Sequence, residues 1–290
     1  MQSEVTRIAA RSKKQAMDWS LVLASQGIEP VIEELSESGG WGLVIASKDS
    51  EKAFQALKQY RLENREWSWR QPLPWPETHF DWMSLGWAGV LVFFHWAGSV
   101  KPELYDQGMM ASKAVRGGEW WRVFTAITLH ADLAHLAGNL SIGIVLFGLA
   151  MGRYGTGTGL LAAYLAGVCG NLASLWLSSR PFHGLGASGM VMGALGLLAA
   201  QSLHPSVRAE SPRTRRLAGV GAAILLFILY GFSPGTAAVA HLGGLVAGLG
   251  LGAILEWLPP RFARNLMLNV ASGFLLLVLV TGTWWLALKK

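Results

Sequence analysis

Two polar residues stand among glycines in separate apolar segments: Ser188 in Gly186-Ala187-Ser188-Gly189 and His241 in Ala240-His241-Leu242-Gly243-Gly244. Polar side chains at membrane depth are costly and usually functional, and a hydroxyl with an imidazole is the minimum set for an activated nucleophile. A serine hydroxyl attacks poorly until a base takes its proton. Desolvation disfavours the imidazolium, so a buried His241 is expected to be neutral and ready to accept that proton. From Leu133 to Leu255 the single acidic residue is Glu210, which favours a dyad over a carboxylate-bearing triad. An isolated Gly-Ala-Ser-Gly reads more simply as a helix-packing motif. The joint occurrence of serine and histidine, each near the start of its segment, shifts the reading to chemistry.

A third group lies upstream, in the run from Trp120 to Asn139, WWRVFTAITLHADLAHLAGN. His135 and Asn139 are spaced i, i+4 and share one helix face. An acyl-transfer site needs donors aimed at a developing oxyanion, and this imidazole and amide can supply them beside the Ser188 backbone N–H; the alternative for both is interhelical hydrogen bonding. His130, Asp132 and His135 cluster, but without HExxH or a clear open-site ligand set, so no metal is expected. No cofactor motif is present either. His130 is expected to hold the preceding loop, and His79, His95, His183 and His204 look incidental.

The elements that must position these groups are apolar helices. A hydrophobic fraction of 52% with only 14% charged residues over 290 residues, and a mean hydropathy of +0.35, indicate a polytopic membrane protein in contact with the lipid bilayer. Apolar segments at about 80–100, 136–151, 157–177, 188–203, 217–232, 237–258 and 266–288 predict seven spans. Gly189 and Gly193 form one GxxxG pair, and Gly244, Gly248 and Gly252 form two more, so the serine and histidine helices can approach backbone to backbone. The formal charge of +6 is scattered over a polar head and short loops rather than gathered in a stripe, which argues against nucleic acid. Arg153, Arg208, Arg213, Arg215, Arg216, Arg261 and Arg264 place their loops, and with them the N-terminus, in the cytoplasm. Cys169 is the single cysteine and is expected to pack as a small hydrophobe.

Ahead of the spans, residues 1–66 read as a soluble βαββα unit, with Ser50 as a candidate N-cap of its last helix. Residues 67–79 carry Trp67, Trp69 and Trp75 among Pro72, Pro74 and Pro76, an expected extended linker at headgroup level. Residues 80–258 then form the expected six-helix core and 259–290 a seventh, C-terminal span.

In their order, these motifs resemble the rhomboid intramembrane serine proteases over about residues 80–258. The matching parts are Trp121-Arg122 with His130, His135 and Asn139, then Gly186–Gly189, then Ala240–Gly244, on the second, fourth and sixth spans. The resemblance implies a rhomboid-like six-helix fold with Ser188 as nucleophile and His241 as general base and acid. It implies an oxyanion hole lined by His135 and Asn139. Trp121 and Arg122 would brace a half-submerged first loop, with His130, Gly186, Gly189 and Gly244 as structural support. The implied reaction is hydrolysis of peptide bonds in or beside the transmembrane helices of membrane-protein substrates, and the bacterial cytoplasmic membrane is the implied location. One departure is Met192, four residues after the serine, where many members carry an aromatic ring against the catalytic imidazole. The rival reading is a proteolytically silent rhomboid-like protein that captures membrane helices for quality control.

Overall fold

A computed structural model of the chain describes residues 5–35, 40–64, 79–201, 221–222, 224–229, 238–259 and 265–290. The chain divides into two units, Met1–Trp75 and Pro76–Lys290. The linker tryptophans and prolines, the cluster Arg208–Arg216, His204, Arg261 and Arg264 lie outside the described residues.

In the first unit, β1 (Val5–Ala10), β2 (Val31–Leu35) and β3 (Gly40–Ala46) form an antiparallel sheet in the order β1-β3-β2. Helix α1 (Lys13–Ser25) begins at Ser12, whose side chain accepts from the Gln15 N–H, satisfying one of the donors orphaned at a helix start. It buries Ala16, Trp19 and Leu23, spaced to share one face. Helix α2 (Ser50–Glu63) buries Ala53 and Leu57, and together these residues close over Ile8, Ile28, Leu43 and Ile45. Ser50 is not the N-cap. A 3₁₀ turn over Ser47–Asp49 leads into α2, and Ser50 already has helical backbone (φ −58°, ψ −47°), whereas a capping residue needs an extended one. Asp49 holds the cap position without a side-chain bond.

The second unit contains α3 (Ser84–Val100), α4 (Leu133–Tyr154), α5 (Thr156–Leu177), α6 (Ser188–Gln201), α7 (Ala238–Trp257) and α8 (Leu266–Leu288). Among the described residues α4, α5, α7 and α8 are long and apolar enough to cross a bilayer, and α3 and α6 are shorter apolar helices. The protein is a polytopic α-helical membrane protein with a small strand-containing N-terminal region. The span expected at 217–232 is described only at 221–222 and 224–229, which are helical.

Helix α6 is buried along nearly its whole length, from Gly189 to Leu197 and at Ala200, which explains why it is apolar on every face. Its neighbours α5 and α7 reach it through glycines. A Cβ on Gly244 would fall on the Gly189 carbonyl oxygen, and one on Gly248 on that of Gly193. On the other side, Gly170 of α5 abuts the Ala240 carbonyl of α7, and Gly167 packs on the backbone of Met190. Cys169 is exposed on α5 rather than packed inside, because the inward positions of that turn are taken by Gly167, Val168 and Gly170.

At the far end of this bundle Arg153 closes α4 and pairs bidentately with Glu256 of α7, at 3.0 and 2.7 Å. The Tyr154 hydroxyl donates to the Leu197 carbonyl at 2.8 Å. Arg153, counted among the loop cations, thus stands at the end of α4 with Glu256 as its ion-pair partner. Between α3 and α4 the chain folds into short helical turns, Glu103–Gly108, Ser112–Arg116 and Arg122–Thr125, and a two-residue strand β4 (Met110–Ala111). Strand β4 pairs with β5 (His183–Gly184), just ahead of the serine.

The glycine contacts generate a position-specific prediction within α7. Gly244→Ala puts a methyl against backbone and should cost about 1–3 kcal/mol or more, as overpacking does. Gly250→Ala meets open space and should be neutral or stabilising by up to about 1 kcal/mol. Thermal unfolding of the solubilised variants checks the order, and equal shifts would mean that the helices do not meet at Gly244.

Candidate active site

Ser188 opens α6, directly after a turn that requires glycine at position 186. Gly186 has φ +125°, a conformation strained for any residue with a Cβ. The space is closed as well, since a Cβ there would lie 2.7 Å from Cε1 and 2.8 Å from Nε2 of His135. Two hydrogen bonds hold the turn: Gly186 N–H donates to the Ala126 carbonyl at 2.9 Å, and Ala187 N–H to His130 Nε2 at 3.3 Å. The Ser188 N–H belongs to the first helical turn, whose donors have no acceptor within the helix.

His241 is the fourth residue of α7, one turn before Gly244. The approach of Gly244 to Gly189 brings its ring over the start of α6, where Nε2 lies 2.6 Å from Ser188 Oγ. The ring is 2% exposed. A short bond between a hydroxyl and a buried imidazole is the geometry in which proton transfer activates the oxygen.

His135 and Asn139 come from the first turns of α4, which Asp132 caps by accepting from the His135 N–H at 2.7 Å. The His135 ring lies against Gly186, and the Asn139 amide points into the same corner, with Nδ2 3.9 Å from a Cβ built on Gly186. Asn139 Nδ2 also donates to the His135 carbonyl at 3.0 Å, and Asn139 is 8% exposed. The four residues thus gather along the three-residue stretch Gly186–Ser188, His135 and Asn139 at Gly186 and His241 at Ser188. Met192 is buried in α6.

His130 stands behind the turn and is wholly buried. Its carbonyl accepts from the Tyr105 hydroxyl at 3.0 Å, and His95 Nδ1 lies 3.3 Å from the same oxygen. Its ring meets that of His135 edge to face, with centroids 5.2 Å apart. Since Nε2 accepts from Ala187, the ring must be neutral and carry its proton on Nδ1. Burial, reinforced by the nearby His135 and His95, pushes its pKa down to about 3 against a backbone hydrogen bond at Thr128 that raises it. Asp132 serves as a helix cap, and among the described residues no group of three His, Cys, Asp or Glu side chains could hold a metal ion.

Arg122 ties the first loop together. Nε meets Glu119 at 2.6 Å, and Nη1 donates to the carbonyls of Asp106 at 2.6 Å and Met109 at 3.0 Å. Glu119 is held below the usual carboxylate range by hydrogen bonds from Lys290 and then Arg122. Trp121 lies under the Lys290 ammonium, 5.5 Å from the ring centroid. Three contributors escaped sequence reasoning: Tyr105, His95 and the β4–β5 pairing. His95, expected to be incidental, is a polar ring in an apolar helix, the same kind of signal that His241 carries.

Comparison with known proteins bears on this geometry. Residues 117–257 match the model of the rhomboid domain. The chain is 34% identical over 194 residues to the rhomboid protease GluP of Bacillus subtilis, a match that covers 64% of this chain and 35% of that protein. It is 27% identical over 186 residues to the rhomboid protease AarA of Providencia stuartii, covering 56% and 66%. It is 30% identical over 156 residues to RHOMBOID-like protein 5 of Arabidopsis thaliana, covering 53% and 50%. The chain therefore spans from about a third to two thirds of the length of these relatives.

The burial of His130 has a measurable sign. Its folded pKa lies below the value of about 6.5 that an unfolded chain has, so between pH 6.5 and about 3 the unfolded state binds the extra proton and stability falls as pH falls. Above pH 6.5 the group contributes no pH dependence. From pH 7 to 5 the loss should be roughly 2 kcal/mol at 1.36 kcal/mol per unit. His130→Gln should lose that part of the slope, as read by unfolding midpoints at each pH; parallel curves for the two proteins would exclude His130 as the titrating group.

Proposed function

We propose that this protein, a rhomboid-family membrane protein, is an intramembrane serine endopeptidase working through a Ser188–His241 dyad. The observation that carries the reading is the 2.6 Å contact between His241 Nε2 and Ser188 Oγ at the buried meeting point of α6 and α7. Family membership supports proteolysis in the membrane, and the geometry supports the assignment of roles.

In this mechanism His241 Nε2 takes the Ser188 proton as Oγ attacks the scissile carbonyl carbon. The carbonyl oxygen gains the negative charge and is received by the Ser188 N–H, the His135 ring N–H and the Asn139 amide. His241 then passes the proton to the leaving amine, the C–N bond breaks, and an acyl-serine remains. Water, deprotonated by the same imidazole, attacks the ester, and as the tetrahedral adduct collapses His241 returns that proton to Ser188 Oγ. His241 is buried where α6 and α7 pack together, and in this mechanism it acts as the base without a carboxylate partner. The substrates are transmembrane helices of other membrane proteins, cleaved in or next to the bilayer. We place the strand-containing head in the cytoplasm, on the positive-inside tendency of the connecting loops, in a bacterial cytoplasmic membrane.

Two outcomes follow for turnover of a model transmembrane substrate. Ser188→Ala and His241→Ala should each bring cleavage near background, and the double variant should be hardly worse, since the two act as one unit. A fluorophosphonate should label the wild type and not Ser188→Ala. A folded wild type that resists labelling would favour the silent, helix-capturing reading. Asn139→Ala removes one oxyanion donor and should lower kcat by roughly 10²–10³. If its activity falls only in proportion to folded protein, as judged by thermal unfolding measured alongside, Asn139 is a structural hydrogen-bonder and not an oxyanion ligand.

A further inference from the structure

Helix α8 lies outside residues 117–257, the part matched to the rhomboid domain, yet it reaches the loop that braces the serine turn. Trp284 Nε1 donates to Thr128 Oγ1 at 3.1 Å in a buried bond. Its ring stacks on Phe94 of α3 at 4.8 Å and 20°, and leaves no room for a Cβ on Gly108, whose built Cβ would lie 3.1 Å from Cζ2 and closer still to Cη2. The same stretch is closed from within: Thr125 Oγ1 donates to the Gly108 carbonyl at 2.6 Å, and Thr128 Oγ1 to the Thr125 carbonyl at 2.8 Å. Lys290 adds a second tie, to Glu119 at 2.8 Å.

Thr128 stands two residues before His130, and Ala126 two residues before Thr128. Those residues are the acceptors for the Ala187 and Gly186 N–H groups. The segment that Trp284 grips is therefore the one from which the serine turn hangs.

We infer that Trp284 is a positioning residue: by holding Thr128 and Gly108 it fixes the Ala126–His130 segment, which in turn sets the backbone of Gly186–Ser188. The inference rests on the proposed dyad for its catalytic readout. Its structural half stands on the contacts alone.

The test pairs kinetics with amide exchange on the full chain in lipid nanodiscs. Trp284→Ala should lower kcat about 10–100-fold, the scale on which small misplacements act, with KM little changed. Trp284→Phe keeps the ring on Gly108 and Phe94 but loses the donor, and should cost roughly 2- to 10-fold. Thr128→Val loses the same bond together with the one to the Thr125 carbonyl and should cost at least as much as Trp284→Phe, and the pair combined should be no worse than Thr128→Val alone. Leu276→Ala, a buried α8 residue two turns away, should lower the unfolding temperature without changing kcat. In parallel, exchange of the segment 183–192 should quicken in Trp284→Ala and not in Leu276→Ala.

Wild-type kcat and exchange in Trp284→Ala would overturn the inference, as would an equal fall in kcat for Leu276→Ala. If the wild type cleaves no transmembrane substrate, the proposed function fails; the exchange measurement then decides alone, and an unchanged segment 183–192 overturns the positioning role. Should Trp284→Ala not fold, the Trp284→Phe and Thr128→Val pair carries the test, and strictly additive losses would sink it.

Discussion

The closeness of two helix backbones governs this molecule. The serine and the histidine sit on different helices, and a hydrogen bond of 2.6 Å between them tolerates no gap that a side chain would open. Gly244 on the Gly189 carbonyl and Gly248 on that of Gly193 bring α7 onto α6 with nothing between the main chains. In a bilayer the lipid tails are as apolar as any side chain, so association rests on such packing rather than on expulsion of water. The glycine spacing thus sets the distance between Ser188 Oγ and His241 Nε2, across which the proton moves in the proposed mechanism.

The second wall of the site is built by different means. The loop between α3 and α4 is held by polar ties, with Arg122 on two carbonyls, Tyr105 on the His130 carbonyl and His130 on the Ala187 N–H. Each satisfies a backbone group, and the Ala187 N–H is a buried one. The site therefore joins a dry helix pair to a hydrogen-bonded loop, and Gly186, with its positive φ against the His135 ring, is where the two meet.

The periodicity of the chain revealed most of this. Apolar runs placed α3 to α8 within a few residues, because a span is dictated by length and hydropathy alone. Small-residue spacing singled out the α6–α7 contact, and the polar residues inside apolar segments pointed to Ser188, His241, His135 and Asn139. What stayed hidden depends on long-range geometry. The pairing of Met110–Ala111 with His183–Gly184 involves strands too short to carry a pattern. The outward face of Cys169 depends on which side of α5 meets its neighbours, and an all-round apolar helix gives no hint of that. Ser50 misled because a capping residue type preceded by a 3₁₀ turn is already inside the helix.

The pairing of Arg153 with Glu256 acts as a depth gauge. Arg153 lies fourteen residues beyond Asn139 on α4, and Glu256 fifteen beyond His241 on α7. At 1.5 Å per residue these are lengths of about 21 and 22 Å. Two helices pinned together at one end and equal in length to the site cannot slide past each other along the membrane normal. The proposed general base and the amide proposed to receive the oxyanion are thereby kept at one level by a contact about two thirds of a hydrocarbon-core thickness away from either.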